Sequence, residues 1–101
     1  MPEFVKVSTI GDPAPGRAKV VEAKGIEVAL VNHEGSYYAL SNSCLHMGGP
    51  VGEGECSDGV ITCPWHGWGY RVSDGANTEN PAARLRTYPV RVDGRDILVQ
   101  V

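Results

Sequence analysis

Turn residues interrupt this chain so often that little room is left for a helix. Glycine occurs 13 times and proline 7 times in 101 residues, and no long stretch repeats apolar residues at helical spacing. Short β-rich runs lie between the interruptions, at residues 3–8, 18–23, 26–31, 37–41, 60–62, 69–72, 87–92 and 96–101. Several alternate apolar and polar side chains, as Val90 and Val92 do, and then Ile97, Val99 and Val101. Asp58-Gly59, Asp74-Gly75 and Asp93-Gly94-Arg95 are suited to tight hairpins that need positive φ. The pattern predicts an all-β fold, an antiparallel sandwich or barrel, as a single domain over 1–101 without repeats or a linker.

Composition narrows the function. A chain of this length makes one small core, for which its 42% hydrophobic content suffices. Small domains often lean on a metal or on disulfides. The net charge is −3, from 9 basic and 12 acidic residues with no like-charged block, so nucleic acid is not an expected partner. Mild acidity suits either brief docking on a basic patch or an ordinary solvated surface. No apolar run approaches the roughly 20 residues of a membrane span, and residues 1–10 lack a signal-peptide core. The expected compartment is the cytoplasm, where thiols stay reduced; three cysteines cannot all pair.

The unusual residues fall in the irregular stretches, where functional groups are commonly found. The glycines at 48, 49, 52 and 54 lack the Lys-Ser/Thr pair and following helix of a phosphate loop. Instead, two mixed pairs stand out: Cys44-Leu45-His46 and Cys63-Pro64-Trp65-His66, with sixteen residues between His46 and Cys63. Cys-x-His places both ligands on one side of an extended segment. Cys-x-x-His brings them together in a turn, for which Pro64 and Gly67 are suitable. Each arm offers one thiolate and one imidazole, and two such loops can grip a metal centre. On the residues alone, a tetrahedral zinc in a non-redox interaction module stays open, because Cys₂His₂ suits Zn²⁺. Zinc ligands are, however, more often grouped cysteine with cysteine and histidine with histidine.

The string CLHMGGPVGEGECSDGVITCPWHGWGYRVSDGA, from Cys44 to Ala76, resembles the cluster-binding region of a Rieske ferredoxin. All four ligand positions match, as do the Gly-Pro after the first arm and the Cys-Pro-Trp-His-Gly-Trp around the second. The resemblance implies a cluster-binding subdomain of two hairpin loops, about residues 43–75, and one [2Fe–2S] cluster per chain. Cys44 and Cys63 would bind the inner iron, and His46 and His66 the outer one. It implies one-electron transfer, without a substrate of its own, from a flavin-dependent NAD(P)H ferredoxin reductase to a terminal oxygenase of the ring-hydroxylating type. Within the same resemblance, a Rieske-like nitrite reductase small subunit is the alternative. Such subunits often lack the intact ligand set that is present here.

Charge counting sets the expected potential. Two ferric ions, two sulfides and two thiolates sum to zero, so adding an electron costs less than in an all-cysteine cluster. High-potential relatives carry an extra cysteine pair, which would fall at Gly49 and Trp65. They also have a serine where this chain has Trp68, and a tyrosine at the position of Tyr70. The expectation is a potential low for a Rieske centre, raised somewhat by Tyr70 if its hydroxyl reaches a ligand sulfur. Asn80-Pro81-Ala82 sits where the family has a proline-bearing loop shielding the cluster. Cys56 is expected to be a small, partly buried residue, and His33 a solvent-facing loop histidine. Leu45, Met47 and Trp65 are apolar neighbours of the ligands, suited to packing, shielding or partner contact.

Overall fold

The computed structural model describes residues 3–45, 48–65 and 67–101. Its framework is an antiparallel sheet built from β2 (Arg17–Ala23), β3 (Ile26–His33), β4 (Ser36–Ser41) and β8 (Thr87–Tyr88), in the order β2-β3-β4-β8. The apolar run in β3 explains why this strand is central. Val28 and Leu30 point to one side and Ala29 and Val31 to the other, and all four are fully buried. Alternate residues of a strand face opposite sides, so a continuous apolar run needs cover on both.

On one side, Val28 and Leu30 join Val21, Ala39, Ile97 and Val99 in a core. The cover comes from β1 (Phe4–Thr9), β10 (Asp96–Gln100) and β9 (Val90–Asp93), ordered β1-β10-β9. On the other side, Ala29, Val31 and Leu40 pack with Val51, Ile61, Tyr70, Val72, Leu85, Cys44 and Cys63. This second core is covered by a small sheet of β5 (Glu55–Ser57), β6 (Val60–Thr62) and β7 (Gly69–Arg71), and by a single 3₁₀ turn at Val51–Glu53. All strand pairings are antiparallel, so the expected all-β layered architecture is what the chain adopts.

Three hairpins share one turn chemistry. Lys24-Gly25, Glu34-Gly35 and Asp58-Gly59 all have positive φ at both central residues (52° and 78°, 53° and 88°, 52° and 76°). That is the two-residue turn whose twist matches the flanking strands. Asp74-Gly75 differs from the expected tight hairpin. Gly75 N–H reaches back to Arg71 O, and the Asp74 carboxylate accepts the Ala76 N–H, so a wider loop results.

Other departures have local causes. The expected run at 87–92 is divided by Pro89, which has no N–H to continue a ladder. Residues before it pair with β4 and residues after it with β10. The polar strand β5 carries no apolar alternation and was not apparent from the sequence. His33 is not a loop residue: it ends β3, half-buried, with its ring against Gly59 in the β5–β6 turn.

Candidate metal centre

The first arm is held at its base by a buried asparagine. Asn42, just after β4, accepts the Gly52 N–H on Oδ1 at 2.7 Å and the Val51 N–H on its carbonyl at 2.9 Å. Ser43 and Pro50 form a bridge above it, and Cys44 N–H donates to Gly49 O at 2.9 Å while Gly48 N–H returns to Cys44 O at 2.7 Å. Those bonds hold residues 43–44 against residues 48–50 with the Cys44 side chain turned inward, only 3% exposed.

The second arm links β6 to β7. Cys63 N–H donates to Trp68 O at 2.7 Å, closing the loop, and Cys63 is fully buried. Trp68 itself is half-buried against the same core. Both loops therefore deliver a cysteine to one place, although they come from different hairpins. The two thiols are free and close enough to interact directly.

The surroundings of these sulfurs are specific. Tyr70, fully buried on β7, puts its hydroxyl oxygen 3.2 Å from Cys44 Sγ. The same oxygen accepts the Leu45 N–H at 3.1 Å, which leaves the hydroxyl proton free to donate to the sulfur. Burial and then the Cys44 contact push the Tyr70 hydroxyl up to about 12, against the opposing effect of the Leu45 N–H. Burial likewise pushes the Cys63 thiol up, the neighbouring Cys44 adds to this, and a backbone N–H from Trp65 to the sulfur works against it. The buried Cys63 thiol is therefore costly to ionise without a cation. A metal held by both sulfurs would offset it, and the Tyr70 and Trp65 donors suit sulfurs carrying negative charge.

Gly49 makes the approach of the two arms possible. A Cβ there would sit 2.9 Å from Cys63 Sγ and 2.9 Å from Trp65 Cδ2. The indole of Trp65 thus lies in the notch left by the missing side chain, beside the Cys63 sulfur, and the ring is still 49% exposed.

Of the expected site residues, Cys44, Cys63 and Tyr70 come together. His46 and His66, with Met47, lie outside the described residues, and among the described residues no three His, Cys, Asp or Glu side chains form a metal-holding group. Pro81 is exposed on the loop that follows β7, its carbonyl accepting from Arg84 Nε at 3.3 Å. That loop is shaped by buried Asn77, whose Oδ1 accepts the Glu79 and Asn80 N–H groups, both at 2.9 Å. The roles of Asn42, Asn77 and Gly49 were not foreseen. Asparagines beside glycine- and proline-rich stretches are the signal that could have pointed to the first two.

Residues 3–89 match the Rieske [2Fe-2S] domain. The chain is 33% identical over 98 residues to the biphenyl dioxygenase ferredoxin subunit of Pseudomonas sp. (strain KKS102), a match spanning 95% of this chain and 90% of that one. Among solved structures, the ferredoxin of carbazole 1,9a-dioxygenase from Nocardioides aromaticivorans IC177 is 34% identical, with a TM-score of 0.88 over 95% of both chains. A putative NADH-dependent nitrite reductase small subunit from Mycobacterium tuberculosis aligns with a TM-score of 0.91 over 100% of this chain and 96% of that one. At 23% identity that last likeness is one of fold alone. With a family match across most of its length and two buried thiols converging where that family's arms lie, the chain belongs to the Rieske [2Fe-2S] family.

Proposed function

We propose that this chain is a Rieske ferredoxin whose [2Fe–2S] cluster is held by Cys44, Cys63, His46 and His66. It would receive single electrons from a flavin-dependent NAD(P)H reductase and deliver them to a terminal oxygenase. It acts in the cytoplasm and transforms no substrate itself. The observation that carries the reading is the convergence of Cys44 and Cys63, buried and free, from two separate loops. The two ferredoxin relatives, one named as a dioxygenase subunit and one as the ferredoxin of a dioxygenase, support the choice of acceptor. The reading treats the whole chain as one Rieske domain, with residues 43–75 as the cluster-binding part and the Pro81 loop as its cover.

When bound, the cluster supplies a reversible one-electron store whose charge moves between zero and minus one. The protein's part is to make that charge tolerable and confined. Tyr70 donates to the Cys44 sulfur and the Trp65 amide to the Cys63 sulfur, and both interactions strengthen as the sulfurs gain charge. The second core excludes water from the thiol side, so the electron's way out is through the loops. Trp68 stands where higher-potential relatives have a serine hydroxyl, so the potential should be low for a Rieske centre.

The test is reduction of the purified holoprotein by NADH through a flavoprotein ferredoxin reductase. Visible bands that bleach by one electron per chain and return with a one-electron acceptor are expected. A colourless, redox-silent protein carrying zinc would overturn the reading in favour of an interaction module.

A further inference from the structure

The sheet ordered β1-β10-β9 ends in two edges, and the edges differ. β1 is interrupted by a register shift between Lys6 and Ser8, an irregularity of the kind that hinders pairing with a further strand. β9 has no such guard. Its register with β10 is unbroken from Val90↔Val99 to Asp93↔Asp96, and no proline or glycine lies between Val90 and Asp93. Among the described residues, β9 pairs with β10 alone. Gln100 N–H donates to Pro89 O at 3.0 Å, so residues 89, 91 and 93 bond toward β10. The N–H and C=O of Val92 therefore point outward, away from β10.

Val92 also leaves apolar surface at this edge. It stands opposite Ile97 and so shares the core side of the sheet, yet Ile97 is fully buried and Val92 is 47% exposed. Arg91 and Asp93 project from the outer side, both exposed, with their charged groups 3.6 Å apart. The Arg91 guanidinium is also held over the Phe4 ring, 5.3 Å from its centroid, so it has less freedom to lose on binding. The segment Val90-Arg91-Val92-Asp93 is self-complementary about Val92. When two copies pair antiparallel with Val92 opposite Val92, Arg91 of each stands opposite Asp93 of the other.

We propose that a second copy of this chain docks on β9, edge to edge, as a two-fold dimer with Val92 on the axis. Each Val92 N–H donates to the Val92 carbonyl of the other copy, and the two three-stranded sheets become one continuous sheet. The exposed valines cover each other on the core side, and the charges alternate in sign on the outer side. A two-fold contact uses the same patch on both copies, so assembly closes at two. Cys44 and Cys63 belong to the core on the opposite side of the four-stranded sheet from β9 and β10, so pairing leaves both thiol sites outside the contact. One short strand pair is small beside the interfaces of permanent dimers, so association is reversible, with Kd on the order of 100 μM. This inference stands apart from the ferredoxin reading.

Sedimentation velocity on the purified holoprotein, from about 10 μM to about 1 mM, reads the association. The wild-type mass should rise from one chain to two and then level. Val92→Lys sets like charges on the axis and should stay a single chain throughout. Arg91→Glu alone, or Asp93→Arg alone, brings like charges opposite one another and should weaken pairing about tenfold. The two substitutions together restore opposite charges and should return Kd to within about threefold of wild type. All three positions are exposed, and circular dichroism melts check that each variant folds.

A wild-type protein that stays a single chain at the highest concentration would overturn the proposal. So would growth beyond two copies, a dimer indifferent to Val92→Lys, or a charge exchange that fails to restore pairing. None of these results touches the ferredoxin reading, which the reduction experiment tests separately.

Discussion

Tyr70 shows how one side chain serves packing and chemistry together. It is fully buried in the core beneath the arms, and its hydroxyl bridges the Leu45 amide and the Cys44 sulfur. A bond to a charged sulfur is stronger than one to a neutral sulfur, so the hydroxyl should favour the reduced protein. Tyr70→Phe is therefore expected to lower the midpoint potential, by about 60 mV for each 1.4 kcal/mol of lost stabilisation. Protein-film voltammetry would read this, and an unchanged midpoint would remove Tyr70 from the tuning of the centre. The candidate ligands stood out because each arm is local in sequence, and of them the fold brings Cys44 and Cys63 together. That Tyr70 sits near Cys44 was legible only through the family resemblance, since β7 meets the first arm through the fold. Gly49 and Trp65, where higher-potential relatives have two extra cysteines, lie in contact here, so a non-covalent contact joins the arms at that place.

At the scale of elements, the hairpins were readable where turn chemistry is local, as at Asp58-Gly59, and the central strand where its apolar run is unbroken. Contacts between elements were not readable. Nothing in the sequence marks Gly54 as the point where β5 closes on β6, yet a Cβ there would strike the Thr62 carbonyl. Gly54→Ala should force these strands apart at a cost of about 2–3 kcal/mol, a fall in Tm on the order of 10 °C or more, with reduced iron content. A thermal melt of the holoprotein measures it. The loop after β7 offers a pH test. The Ala76 N–H, and then Arg71, hold the Asp74 carboxyl below its usual value of 3.8. A lowered pKa stabilises the fold above the ordinary carboxyl range and ceases to do so as pH falls through the lowered value. Asp74→Ala should thus melt below wild type at neutral pH, and the gap should narrow under acid from about pH 4 downward, as followed by circular dichroism.

For the whole molecule, the four-stranded sheet is a platform covered on both sides, and the cysteines of both arms are buried in the core on one of those sides. The arms belong to different hairpins, so a shared metal centre is a cross-link between them. Ligand that binds only the folded state stabilises it. Removing iron with acid and chelator should lower Tm on the order of 10 °C. The central claim is that two mixed thiolate–imidazole arms enclose a pair of bridged irons. Iron and acid-labile sulfide assays on anaerobically purified protein, with electron paramagnetic resonance after reduction, test it most directly. The account predicts about two irons and two sulfides per chain, and a reduced signal with an average g below that of a free electron. Zinc in place of iron, or iron without labile sulfide, would contradict it.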